Sequence, residues 1–235
     1  MEEKEKIEEF EIEKSVEKSV KELKKLWEES EEEAIKKKGR NEFFSFFSSL
    51  AFPEISSSLL EKVSNKFLKE FDWKKFEERE YLGADLGFFL SAFLKKSIEN
   101  CILPQEKKGI NKEGNIKPID VRLNIKKLPV RLDYLGYQNP KKLHLIIEGN
   151  CGLEIGGEMR GGEITIEGNC KDWTGLDMKG GELNVKGEVK SFDKSAFSSD
   201  NRGTIIWKNT KIWENGNWTK EGKEMWEKGE IPVEG

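Results

Sequence analysis

Histidine is almost missing from this chain of 235 residues: His144 is the only one. A Ser-His-Asp triad would have to be built on it, yet it stands between Leu143 and Leu145 in an alternating segment. That places it at a surface or edge position and outside catalysis. Cysteine is scarce too, with Cys101, Cys151 and Cys170 and no C-x-x-C pair, so a His/Cys metal centre is not supported. An odd number of cysteines in a chain too large to need staples points to a reducing compartment, and a cytoplasmic location is expected. No phosphate-binding G-x-x-x-x-G-K-[ST] loop and no strand-linked G-x-G-x-x-G occurs. No catalytic, cofactor-binding or metal-ligating residue is therefore assigned, and no cofactor is expected.

Long apolar runs are also absent. The longest, Leu86 to Leu94, is broken by Gly87 and Ser91 and flanked by Asp85 and Lys95, far short of the ~20 residues of a membrane span. Met1 is followed by EEKEKIEEFEIEK, the opposite of a secretory leader, so neither secretion nor membrane contact is expected. Charge of one sign is lacking as well. Residues 1–120 carry 23 basic and 27 acidic side chains and the remainder 18 of each, which argues against a dedicated nucleic-acid surface. Glutamine occurs only at 105 and 138 against abundant Glu and Lys, the bias of thermophilic proteins.

What is present divides the chain. Of 22 glycines 17 lie from Gly136 onward, while 12 of 14 phenylalanines precede residue 100. An α+β protein is expected: a helical domain over 1–103, a Gly/Pro-punctuated polar linker over 104–120, a parallel β-helix over 121–216 and a C-terminal cap over 217–235. Three apolar stripes at helical spacing mark the front: Val16, Val20, Leu23 and Trp27; Ile55, Leu59, Val63, Phe67 and Phe71, behind Pro53; and Leu82, Leu86, Phe89, Leu90 and Phe93, ending near Asn100. Phe43 to Phe52 is too apolar for a solvated loop and should plug their core. The first stripe is as narrow as a coiled-coil seam, so Val16, Val20, Leu23 and Trp27 form a candidate docking face for a second copy or another protein, with the chain's own core as the competing partner.

The back is periodic. A shift of 19 residues carries Met159-Arg-Gly-Gly-Glu-Ile-Thr-Ile-Glu-Gly onto Met178-Lys-Gly-Gly-Glu-Leu-Asn-Val-Lys-Gly, and Leu145-Ile-Ile-Glu-Gly-Asn-Cys onto Ile164-Thr-Ile-Glu-Gly-Asn-Cys. A shift of 22 carries Leu183 and Val185 onto Ile205 and Trp207, and takes Leu145 and Ile147 back to Leu123 and Ile125. Four to five stacked coils follow, starting near 121, 143, 162, 181 and 203. Alternation such as Ile164, Thr165, Ile166, Glu167 gives strands with one inward face. Gly149, Gly156, Gly161, Gly162 and Gly168 recur as Gly168, Gly175, Gly180, Gly181 and Gly187 and mark corners. Asn150 over Asn169 should form an amide ladder, and Cys151 should stand under Cys170 as a buried pair.

The pattern from Gly149 to Gly168, G-N-C-G-x-x-x-G-G-x-M-x-G-G-x-I-x-I-x-G, continued through Gly175 to Gly187, resembles the Gly-rich repeat (GXGXG) domain of the glutamate synthase large subunit and is similar to the Gly-rich repeat component of formylmethanofuran dehydrogenase. The resemblance covers about residues 143–187 and implies a right-handed β-helix that packs subunits and has no catalytic residues of its own. Lys171 departs from it, standing where the preceding coil has Gly152, and residues 1–120 match neither enzyme's partner domains.

Trp207, Trp213, Trp218 and Trp226 crowd the C-terminus, where a Trp-bearing segment and a short helix, Thr219 to Lys228 before Gly229, would cover the open last coil. The function expected is a non-catalytic structural or protein-interaction protein, an accessory subunit or a homo-oligomer. The alternative is a carbohydrate-binding or carbohydrate-active β-helix, for which Trp and carboxylates would line an exposed groove; Arg160, Asp177 and Lys179 offer charged positions on neighbouring coils.

Overall fold

A computed structural model describes residues 2–34, 36–37, 39–75, 81–107 and 117–234. Four helices come first: α1 (Glu2–Ala34), α2 (Arg40–Ser48), α3 (Ser57–Lys69) and α4 (Leu82–Lys107). The strands β1 (Ile119–Asn124), β2 (Leu143–Glu148), β3 (Arg160–Ile166), β4 (Gly180–Val185), the two-residue β5 (Phe192–Asp193) and β6 (Thr204–Trp207) then build a parallel solenoid of about four turns. The chain closes with β7 (Thr210–Glu214), β8 (Asn217–Trp218), α5 (Lys220–Glu227) and β9 (Val233–Glu234). The architecture is α+β, helices before a β-solenoid.

In the helical part, Val16, Val20, Leu23 and Trp27 are all buried. Trp27 stacks on Phe47 at 6.3 Å and meets Phe71 and Phe89 edge-on at 5.7 and 5.3 Å. This corrects the docking-face assignment: the stripe is narrow, but large rings from α2, α4 and the segment after α3 fill the space opposite it. Phe44 and Phe47 of α2 and Phe52 beyond it are buried as the expected plug. Helix α3 starts after Ser56, later than Pro53 indicates, so Ile55 and Phe71 are buried beyond its two ends. Helix α4 runs through the first four residues of the expected linker to Lys107; 108–116 lie outside the described residues.

The two interruptions of the apolar run in α4 are contacts with the solenoid. Gly83, Gly87, Ser91 and Lys95, each four apart, share one face of the helix. A Cβ on Gly87 would drive into the Asp133 backbone, and the Asp133 amide donates to the Gly83 carbonyl at 3.2 Å. The Ser91 hydroxyl donates to the Tyr134 carbonyl at 2.9 Å and accepts from the Gly136 amide at 3.0 Å. The Lys95 ammonium donates to Gln138 Oε1 at 2.9 Å. One helix face thus reads the segment 131–138 of the first coil through its main chain and the Gln138 side chain.

Strand registers set the coils. Leu145 pairs with Ile164 and Ile164 with Leu183, the expected 19-residue step, and Leu183 pairs with Ile205, the expected 22. The first step is 24: Val121 lies beside Leu145 and Leu123 beside Ile147, not Leu123 and Ile125. Val121, Leu123 and Ile125 alternate, so a two-residue slip keeps the same face inward and the apolar pattern cannot choose between registers. Arg160 lies beside Gly180, one residue beyond its sequence match Lys179, because the strand bulges between Arg160 and Glu163.

Both ends of the solenoid are covered. At the first edge, side chains of α3 stand in for a strand: the Arg122 amide donates to Glu61 Oε2 (3.0 Å), the Asn124 amide to Asn65 Oδ1 (2.8 Å), and Asn65 Nδ2 to the Arg122 carbonyl (2.6 Å). At the last edge β7 folds back antiparallel on β6. Helix α5 packs on β7; the Thr219 hydroxyl caps it by accepting from the Gly222 amide at 3.0 Å, and Gly229 ends it at φ 72°. Trp207 and Trp213 are buried there, and β9 returns to pair with β5.

Gly181 tests the stacking. Its φ is +88°, and a Cβ would stand 2.5 Å from Met159 Cε and 2.7 Å from the Gly161 carbonyl oxygen of the coil beneath. Gly181→Val should therefore cost about 2–4 kcal/mol in urea or thermal unfolding. A variant that unfolds with the wild type contradicts the register.

Candidate functional site

The seam between helices and solenoid gathers several enclosed ionisable groups, Glu154, Tyr134, Tyr137 and Lys95. Each of three coils contributes a loop with two non-glycine residues in the left-handed region: Tyr134 and Gln138, Glu154 and Glu158, Trp173 and Asp177, with φ between 49° and 59°. Bulky residues reach that conformation at a cost of about 1–2 kcal/mol each. Stacking offsets it, because the turned amides bond to the next coil: Tyr134 to the Leu153 carbonyl at 2.9 Å, Glu154 to Asp172 at 3.0 Å and Glu158 to Leu176 at 2.7 Å.

The three rungs Tyr134, Glu154 and Trp173 have different fates. The Tyr134 ring stacks on Phe88 of α4 at 4.0 Å. The Glu154 carboxylate is buried and meets the Arg40 guanidinium, at the start of α2, at 2.6 Å. Trp173 is 41% exposed. Nearby, the Tyr137 hydroxyl bonds to the Glu158 carboxylate and lies 2.9 Å from Asn41 Oδ1. Burial raises the pKa of Glu154 against the pull of Arg40, and raises those of Tyr134 and Tyr137, helped at Tyr137 by Glu158. Burial lowers that of Lys95. These groups are engaged with one another across the seam; the arrangement is a clasp that fixes the helices to the first two coils.

A second feature is an open groove of about 790 Å³ between the C-terminal half of α3 and the first coil. Leu68, Trp73 and Leu128 give it an apolar floor, and Lys69, Arg122, Lys126 and Lys127 set its charge. Glu148 takes Arg122 and Lys126, each at 2.9 Å, which hold its carboxyl below the usual range. Lys69 and Lys127 have no carboxylate partner among the described residues.

His144 lies on the outward sheet face, Nδ1 3.2 Å from Asp120 and Nε2 3.0 Å from Glu163, in a row that Glu182 extends across the strands. Burial, then Glu163, raises the pKa of Glu182. Among the described residues no three His, Cys, Asp or Glu side chains converge on a metal position, and no helix is long and apolar enough to cross a membrane.

Of the repeat residues, Gly149, Asn150, Cys151, Gly156, Gly168, Asn169, Cys170, Gly175 and Gly187 lie outside the strands, whereas Gly161 and Gly162 lie at the start of β3 and Gly180 and Gly181 at the start of β4. Cys151 and Cys170 are buried free thiols, and Cys151 is pushed up by its neighbour Cys170 and by burial. The asparagine ladder differs from the expected amide-to-amide form: Asn150 Oδ1 accepts from the Asn169 amide at 3.0 Å, and Asn169 Oδ1 from the Glu188 amide at 2.8 Å. Each side chain thus supplements the main-chain ladder at a corner. Arg40, Glu154 and the two tyrosines were not singled out by sequence, where acidic residues are everywhere; the repeat register, which puts Tyr134, Glu154 and Trp173 in one column, is the signal that marks them.

No protein-family model matches the chain, and neither the curated proteins nor the solved structures contain a significant match.

Arg40→Ala should leave the Glu154 carboxylate uncompensated and cost about 2 kcal/mol at pH 7, below the buried-pair range because Arg40 is half open to water. Loss of the cation raises the folded-state pKa of Glu154 further above its unfolded value. The deficit is then full above that pKa and shrinks as pH falls through it. Urea unfolding at pH 7 and pH 4.5 checks this; a deficit that grows on acidification contradicts the clasp.

Proposed function

We propose that this protein is a non-catalytic scaffold of the cytoplasm, a capped solenoid that presents surfaces to other protein chains. One observation carries the reading: the enclosed ionisable groups of the seam, Glu154, Tyr134 and Tyr137, are bound to the chain's own Arg40, Glu158 and ring neighbours and hold its two parts together. The Gly-rich repeat, read as akin to the subunit-packing domain of glutamate synthase, supports the same role. Three cysteines with no disulfide between them support the reducing location.

The carbohydrate-binding reading has one observation in its favour. Trp226, 45% exposed, stacks on Trp218 at 5.4 Å, which stacks in turn on Phe197 at 4.4 Å, a column with one open ring. The column also covers the last coil, which favours a cap. Titration with neutral and acidic oligosaccharides, followed by tryptophan fluorescence and calorimetry, separates the two. The scaffold reading predicts no saturable signal and an unchanged response in Trp226→Ala. Saturable binding that Trp226→Ala abolishes would overturn it.

A further inference from the structure

The groove between α3 and the first coil is held open by its own hydrogen bonds. Asn65 of α3 bonds the Arg122 carbonyl at 2.6 Å and the Asn124 amide at 2.8 Å, and Glu61 takes the Arg122 amide at 3.0 Å. Beyond β1, the Lys126 amide donates to Asn124 Oδ1 and the Leu128 amide to the Ile125 carbonyl, each at 3.3 Å. That turn sets Lys127 and Leu128 on the solenoid wall. The floor is fixed as well: Leu68 is buried, and Phe71 braces the Trp73 ring with centroids 4.7 Å apart. At about 790 Å³ this preformed space falls within the ~300–1,000 Å³ of small-molecule sites.

Its charges do not cancel. Lys69, Arg122, Lys126 and Lys127 stand against Glu61 and Glu148, 4 − 2 = +2. Glu148 is shared by Arg122 and Lys126, so the surplus falls on Lys69 at the end of α3 and on Lys127, one cation from each wall. Lys66, in the same turn as Lys69, bonds Glu70 at 2.8 Å, whereas Lys69 and Lys127 have no carboxylate partner among the described residues. An apolar floor with a few placed charges is what orients an amphipathic anion.

We propose that this groove binds a small organic anion, a flat aromatic or aliphatic body bearing one carboxylate, sulfonate or phosphate group. The body lies on Leu68, Trp73 and Leu128, and the anionic group meets Lys69 and Lys127. Two features disfavour larger occupants. Side chains of α3 already engage the main chain of Arg122 and Asn124, so no strand of a partner adds at this edge. Glu61 and Glu148 limit the surplus to two charges, too few for a polyanion track. The site is independent of the scaffold role: a ligand there touches neither the clasp nor the column of Trp218 and Trp226.

The test is titration of the full-length protein with anilinonaphthalene sulfonate, an aromatic anion whose emission rises in apolar surroundings. Saturable binding of one probe per chain is expected, weakened by added salt. The double variant Lys69→Glu/Lys127→Glu should raise the dissociation constant at least about tenfold, with melting like that of wild type because both side chains are exposed. Trp226→Ala should leave binding unchanged. Phenylnaphthylamine, the same rings without the sulfonate, and inorganic phosphate, the charge without the rings, should each bind at least about tenfold more weakly. No saturable signal, binding that survives reversal of Lys69 and Lys127, or an uncharged analogue that binds equally well overturns the proposal. A dimer in sedimentation velocity, or saturable binding of oligothymidylate, that the same double variant abolishes would assign the groove to a second copy or to nucleic acid and overturn it too.

Discussion

Main-chain hydrogen bonding between consecutive coils is the constraint on which this molecule depends. A single coil, such as Leu143 to Gly162, cannot pair its own strand or bury Leu145 and Ile147; it does both by lying on its neighbours. The steps of 24, 19, 19 and 22 residues are the lengths at which the inward aliphatics stack while the corners stay within bonding distance. Gly181 is required there because the start of β4 rests on the Gly161 carbonyl of the coil beneath. The left-handed Tyr134 and Glu154 are held by the same bonds, and the Trp173 amide by the Ser191 hydroxyl of the next coil at 3.3 Å, so the groups of the seam are placed by the stacking and not by local preference.

Stacking leaves two open edges, and the chain closes them by different physics. At the start, Glu61 and Asn65 imitate a strand with side chains, which lets a helix cover an edge it cannot pair by main chain. At the end, an antiparallel turn onto β7 pairs the edge of β6 directly, and Trp207 and Trp213 fill the coil mouth. The helical part is more than a lid. Its α4 face of Gly83, Gly87, Ser91 and Lys95 and the Arg40–Glu154 pair fix it along the first two coils. The body that results leaves Trp173, the charged groove and residues 5–15 of α1 facing outward.

How much of this the sequence reveals follows from which forces act locally. The repeat is legible because stacking demands the same residue types at a fixed spacing, and the interior coils pair at the expected steps of 19 and 22 residues. The first register is not, because Val121, Leu123 and Ile125 satisfy either pairing. The fate of Val16 to Trp27 is not, because a narrow stripe fits a partner helix or the chain's own rings equally, and only the packing of Phe47, Phe71 and Phe89 decides. Gly87 and Ser91 read as flaws in an apolar run, although they are the points at which α4 meets another backbone. Arg40 and Glu154 are 114 residues apart, and no local pattern links them.

The stacking itself is open to one direct measurement. Cys151 and Cys170 occupy matching corners of consecutive coils, both buried, while Cys101 is only half-buried near the end of α4. Thiol labelling of the native protein, with modified positions read by peptide mass spectrometry, should modify Cys101 first and leave Cys151 and Cys170 untouched until the solenoid unfolds. Labelling of Cys151 and Cys170 in the native protein as fast as thiols in an unfolded chain would place that corner in solvent and contradict the stacked register.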